Sequence, residues 1–473
     1  MRKASVDKGR SLTEVLASDR SRIIYSTSFR RLTQKAQVFS LETNASVRNR
    51  ITHTFEVADV GRLISFLVTK QLLQEKKISN DLQLPFIYAV ENACLLHDLG
   101  NPPFGHFGES AIRDWFLYNW EDIYKKAFNK EKITGDDDCK KLICDFLQYD
   151  GNPQGLRIIL RLHRNVDKFS LNLTFTTILS FIKYVRSSAE KNDGELTKKA
   201  GYFLTEKHLI EKIKKKLEMP LKVRYPLAYI MEASDDIAFC MSDVEDGIEK
   251  KVLTEDDFFQ GLKVEWKNIR HKNDSKIFPL VRELGNRNFI NDREKFFVFK
   301  TSYSRELIKI AARNYIKYET EIMNGKLTSL FKSDTQVGRV LKCLKNVARN
   351  KLFRSPEAEN PELAGYKIIS GLLDAYAPIL RCSYKTMQLL IKGLDNPKVL
   401  FNQNLDMQWR LINKLPKRHI SAYKDMLKEK KDNRQPELYE WFYRCHLIVD
   451  FISGMTDAYA LEIYQLLNGI RLR

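Results

Sequence analysis

Eight histidines occur in the 473 residues, and two of them, His97 and His106, fall in the stretch His97-Asp98-Leu99-Gly100-Asn101-Pro102-Pro103-Phe104-Gly105-His106. His97-Asp98 closes the apolar run Ala89–Leu96. Gly100 followed by Pro102 and Pro103 is a sharp helix stop that would hold both side chains at a helix end. Imidazole nitrogen beside carboxylate oxygen suits a divalent ion such as Mn, Mg, Fe or Ni. Two ligands do not make a site. His53, at the start of an amphipathic helix expected from Thr52 onward, is a third candidate, and Asp235 in Glu232-Ala233-Ser234-Asp235-Asp236-Ile237 is a fourth.

A helix expected from about Pro226, a residue suited to a first turn, stacks Asp235, Phe239 and Asp243 along one face at i, i+4 and i+8. Helix carboxylates more commonly face solvent or pair with Lys and Arg. Here Ile230, Met231, Ile237, Ala238, Met241 and Val244 surround them, and an unpaired buried carboxylate would be costly or would protonate. A metal ion and a substrate hydroxyl would resolve that conflict. His106 and Glu109 stand at i and i+3, so the carboxylate can orient the imidazole or raise its basicity, as in an acid/base pair. The same two residues also fit a capping histidine followed by a first-turn acid.

The elements that would position these groups read as helices. Apolar residues recur at helical spacing through Phe55–Leu73, Leu84–Leu96, Leu171–Tyr184, Leu227–Ile248 and Leu363–Leu373, and period-2 alternation is short and rare. Gly and Pro gather at boundaries: Gly100 to Pro103, Asp150-Gly151-Asn152-Pro153 and Met219-Pro220. Gly135–Lys141, Ser187–Lys199 and Lys428–Gln435 read as exposed loops. Without a repeat of solenoid length, an all-α helical bundle with insertions fits best. The expected division is a catalytic core over 1–255 and a helical C-terminal region over 256–473, rich in basic segments.

No apolar run approaches the roughly 20 residues of a membrane span, and Met1–Lys8 lacks the apolar segment of a secretory signal, so a cytoplasmic chain without membrane contact is expected. Seven scattered cysteines without a CxxC pair read as reduced thiols rather than a disulfide framework or zinc ribbon. A formal charge of +19 attracts polyanions such as nucleotides or nucleic acid, although a basic surface also serves solubility alone.

Taken together, the residues resemble the dGTP triphosphohydrolases of the HD superfamily, whose ligand pattern is matched by His53, His97-Asp98 and Asp235. The matching segments are Asp19–Tyr25 with Phe29-Arg30-Arg31-Leu32 and Gln37-Val38-Phe39, then Arg50–Thr54, His97–Glu109, Met231–Asp246, and Ile452-Ser453-Gly454-Met455-Thr456-Asp457. The long Asn-Pro-Pro-Phe-Gly-His-Phe-Gly-Glu string separates this family from HD phosphodiesterases in general. The resemblance implies an HD-domain bundle with additional C-terminal helices that complete the nucleotide site and an oligomer interface. It implies a divalent ion, Mg or Mn with Fe, Co or Ni as alternatives, held by His53, His97, Asp98 and Asp235. His106 and Glu109 would carry proton transfer during attack on the α-phosphorus of dGTP, giving deoxyguanosine and tripolyphosphate.

Carried over the same way, Arg50, Asn152, Lys183, Tyr184 and Lys199 would contact phosphates, Gln37 and Asp243 the 3′-hydroxyl, and Val38 the base and sugar. Phe239 stands where the family has a tyrosine that packs on the sugar and offers a hydroxyl, and the loss of that hydroxyl would weaken deoxyribose selection or substrate affinity. A homo-oligomer, in the family often a hexamer, and a single-stranded DNA or dNTP effector are also implied. Two rival readings stand beside this one: a broader dNTP or other HD nucleotide phosphohydrolase, and a nucleic-acid-binding protein with a relict site. The second draws on the basic runs Lys212–Lys216, Lys342–Arg354 and Lys414–His419, each of which also fits a solvated helix face.

Overall fold

Asn49 starts the helix that carries the first candidate ligand. Its side chain accepts from the Thr52 N–H, and Thr52 Oγ1 accepts from the Asn49 N–H in return, a reciprocal cap that satisfies two otherwise orphaned donors. The computed structural model describes residues 9–131, 137–163, 169–274, 279, 284, 288–401, 403–429 and 435–471. The helices that build and brace the site are α1 (Leu12–Ile24), α2 (Arg50–Gln74), α3 (Gln83–Leu96), α4 (Gly105–Phe128), α5 (Gly151–Arg157) and α6 (Phe175–Phe181). Beyond them stand α7 (Pro226–Glu249), α8 (Gln336–Lys351), α9 (Pro356–Leu380), α10 (Pro436–Ser453) and α11 (Asp457–Leu467). Among the described residues the sheet content is one short parallel pair, β1 (Arg186–Ser187) and β2 (Ala200–Tyr202). The protein is all-α.

Helices α2, α3 and α7 pack on one another, with α1 closing over α3 and α8 lying against α7. Their buried faces, including Val57, Ile64, Val90, Leu96, Ile230 and Ile237, form one core that continues through Phe258, Phe299 and Leu344. A second core joins α4 to α9 and α10 through Ile112, Phe116, Leu372, Trp441 and Ile448. Each such side chain contributes about 1.5–3 kcal/mol by leaving water. Neither core stops at residue 255, because the later helices pack into both.

Four of the expected helical stretches lie inside α2, α3, α7 and α9, whereas Leu171–Tyr184 is helical only over Phe175–Phe181. The reason is local. Asp19 accepts from the Thr174 N–H and from the hydroxyls of Thr174 and Thr177, fixing the helix start at Thr174, and at Ile182 the chain turns extended and leads into β1. The expected loops at 135–141 and 428–435 fall partly outside the described residues; from Asp137 the first is already helical, with Asp137 and Asp138 in its first turn. No helix among the described residues is long and apolar enough to cross a membrane. All seven cysteines are free, and Cys144 alone of them is not buried.

Candidate active site

At the end of α3 the His97 ring donates from Nδ1 to the Cys94 carbonyl at 2.7 Å, which fixes the tautomer and leaves the Nε2 lone pair unshared. That nitrogen is buried and without a protein partner. Around it converge His53 from the first turns of α2, Asp98 from the turn after α3 and Asp235 from α7. His97 Nε2 lies 3.6 Å from Asp98 Oδ1 and 3.7 Å from Asp235 Oδ1, and His53 Nε2 lies 3.5 Å from the same Asp235 oxygen. These gaps are long for direct hydrogen bonds and near the spacing of adjacent ligands held about 2.1 Å from one cation, roughly 3 Å or slightly more. His53, His97 and Asp98 form a group that could hold a metal ion, and the donor set fits a divalent one.

The flanking charges keep the carboxylates ionised. Burial pushes both upward, but Arg50 together with His97 and His53 lowers Asp98 to about 2, and His53, His97 and Lys183 hold Asp235 below the ordinary carboxylate range. Arg50 Nη1 donates to Asp98 Oδ2 at 2.7 Å, while the Asn101 side chain donates to Oδ1. Gly100 permits this turn: a Cβ there would sit 2.0 Å from the Gly151 carbonyl oxygen and 2.1 Å from the Gly155 nitrogen, so the turn lies backbone to backbone on α5.

His106 and Glu109 lie in the first two turns of α4. Glu109 is buried, its Oε1 accepting from the Gly151 N–H at 2.8 Å and its Oε2 from His106 Nδ1 at 2.9 Å. The His106 ring, 80% exposed, projects Nε2 into open space. The hydrogen bond to Glu109 raises its basicity against the opposing charges of Lys199 and Arg50.

Both centres face one cavity of about 660 Å³, within the range of nucleotide-sized pockets. It is lined by Gln37, Val38, Arg50, His53, His97, Asp98, His106, Glu109, Asn152, Lys183, Tyr184, Lys199, Asp235 and Phe239. The structure thus brings together every residue singled out in the sequence except Asp243. That carboxylate lies on α7 beyond Phe239, fully buried with neither oxygen partnered, and burial drives it well above the usual range. Lys183 Nζ sits 3.7 Å from Asp235 Oδ2, Lys199 Nζ 2.6 Å from Asp150 Oδ2, and Asn152 donates to Asp150 Oδ1. The Gln37 Oε1 atom is buried and unpartnered.

The cavity also contains residues that sequence reasoning missed. Lys345 and Arg349 on α8 and Phe353 and Arg354 just beyond it line one wall, and Glu359 and Glu362 on α9 line another. Lys345 pairs with Asp236 at 2.6 Å, and the Phe353 ring stacks at 6.3 Å from Phe239. The basic run Lys342–Arg354 was visible in the sequence, but not that one side of it faces the cavity. Glu359 and Glu362, soon after Ser355-Pro356, read as ordinary acids near a helix start.

The fold and cavity define an all-helical protein with a nucleotide-sized pocket whose His/Asp centre could take a divalent cation among lysines and arginines. No protein-family model matches the chain. The curated proteins named deoxyguanosinetriphosphate triphosphohydrolase from Klebsiella pneumoniae (strain 342) and Enterobacter sp. (strain 638) are each 35% identical to it. The first alignment covers 98% of this chain and 96% of the relative, the second 97% and 94%. The chain belongs to the deoxyguanosinetriphosphate triphosphohydrolase family.

Proposed function

We propose that the enzyme hydrolyses dGTP at the α-phosphorus, releasing deoxyguanosine and tripolyphosphate. The observation that carries this reading is the meeting, in one cavity, of the His/Asp cluster, the His106–Glu109 pair and the lysine side chains of Lys183 and Lys199. His53, His97, Asp98 and Asp235 would hold a divalent cation, Mg or Mn with Fe, Co or Ni also suited to the donors. Such an ion supplies positive charge against the phosphate and polarises water.

The protein's own groups do the rest. Lys183, Lys199, Arg50, Asn152 and Tyr184 bind the phosphate chain and align the α-phosphorus, so positioning and charge complementarity supply most of the acceleration. With Nδ1 fixed by Glu109, His106 exchanges a proton at Nε2, taking it from the attacking water or giving it to the departing O5′. The Gln37 Oε1 atom accepts from the 3′-hydroxyl, Asp243 would be a second partner of the same hydroxyl, and Val38 lies beside the base and sugar. Guanine presents N1–H and N2–H side by side, and a carboxylate is the side chain that accepts from both. Glu362, which lines the cavity, would do so, with Phe353 as a stacking surface.

Phe239 and the missing hydroxyl favour a second reading, a broader dNTP triphosphohydrolase. The nucleic-acid reading loses part of its basis, since Lys345, Arg349 and Arg354 line the nucleotide cavity. Homo-oligomer formation, hexamers included, and response to single-stranded DNA or a dNTP effector belong to the same proposal, as does a cytoplasmic location. The purified protein incubated with each dNTP and Mg or Mn, with products resolved by ion exchange, tests it. Tripolyphosphate mainly from dGTP is expected, release from all four selects the broader reading, and single phosphate or pyrophosphate overturns both.

A further inference from the structure

The segment Ile452–Asp457 resembles the family's C-terminal signature but has no part in the chemistry above. Its Asp457 is 2% exposed and bonds two distant backbone groups at once: Oδ2 accepts from the Ala36 N–H at 3.0 Å and Oδ1 from the Phe104 N–H at 3.1 Å. Ala36 precedes Gln37, and Phe104 is two residues before His106. Phe104 has φ +60°, a left-handed conformation that a side chain of its size adopts only when held. A second tie runs beside the first. The buried Lys35 Nζ donates to the carbonyls of Asn101 and Ser453, and Asn101 in turn donates to Asp98.

We propose that Asp457 is a positioning residue that sets the distance between the sugar-binding segment at Gln37 and the proton-transfer residue at His106. It is not among the residues that line the cavity. One carboxylate spans the N–H groups that fix where each segment starts, so the separation of the 3′-hydroxyl contact from His106 Nε2 is set by a single rigid group. An asparagine in its place offers one acceptor and turns an amide N–H towards the other donor. One of the two segments must then shift, and an error of about 1 Å at a reacting centre can cost about 100-fold.

This inference rests on the reading of Gln37 as the 3′-hydroxyl contact. The test compares kcat/KM for dGTP with that for 2′,3′-dideoxy-GTP in the wild type, Gln37→Ala and Asp457→Asn, with thermal unfolding measured in parallel. The wild type should prefer dGTP, Gln37→Ala should lose that preference, and Asp457→Asn should lower it towards the Gln37→Ala value, with kcat for dGTP down about 10–100-fold. A purely structural role changes the amount of active protein and leaves the ratio alone, so a wild-type ratio in Asp457→Asn, whatever its folded yield, overturns the proposal. If that variant is too slow to assay, the same ratio is taken from dissociation constants. A wild type indifferent to the 3′-hydroxyl refutes the sugar reading itself and this proposal with it, an outcome distinct from failure at Asp457.

Discussion

His97 can offer Nε2 to a cation because Cys94 has fixed the other nitrogen, and His106 can exchange a proton because Glu109 is itself held by Gly151. The His/Asp cluster and the His106–Glu109 pair therefore fail differently. Asp235→Ala should lose bound metal and activity together, measured by elemental analysis and turnover, whereas His106→Ala should keep near-normal metal and lose about 10²–10⁴-fold in turnover. Because the Glu109 hydrogen bond raises the His106 pKa, Glu109→Gln should move the His106 limb of the kcat–pH profile to lower pH; an unmoved limb assigns it to another group. Burial pushes Glu362 up to about 7, an effect His106 partly opposes, so its carboxylate is ionised only above that pH. Preference for dGTP over dATP should accordingly rise between mildly acidic and mildly basic pH and flatten in Glu362→Gln; a slope unchanged in that variant removes Glu362 from base reading. The meeting of His53, His97, Asp98 and Asp235 was legible because His and Asp at those spacings stand out among apolar neighbours. Glu362 was not, since an acid near a helix start needs no further explanation.

At the scale of elements, the site depends on close backbone approaches that side-chain patterns do not reveal. Gly100→Ala should cost at least about 2 kcal/mol of stability in denaturant unfolding, because the neighbouring groups are the Gly151 and Gly155 backbone and cannot swing aside. Near-zero cost would mean that the turn and α5 separate easily. Helices α2, α3, α7 and α9 were legible because their apolar faces repeat along the chain. Leu171–Tyr184 misled because a distant carboxylate, Asp19, fixes the helix start, and the chain leaving α6 extends to deliver Lys183 and Tyr184 to the cavity. Periodicity reports burial, not the partner that caps an end.

At the scale of the molecule, the net charge of +19 and the cationic cavity wall should draw a polyanionic substrate inwards. Added KCl should lower kcat/KM several-fold and leave kcat unchanged, and a flat kcat/KM would show that steering contributes nothing. The all-α class was legible from the sequence. The interleaving of the two cores was not, because nothing local marks which later helix returns to which earlier one. That interleaving also orders events in time. Phe104 and Ala36 bond a carboxylate 353 and 421 residues further along the chain. At about 5–20 residues per second, a ribosome needs roughly 20–80 s between making Ala36 and Asp457. A nascent chain therefore holds the histidines and aspartates of the centre long before it holds the brace between them, and the finished geometry waits until Asp457 has been made.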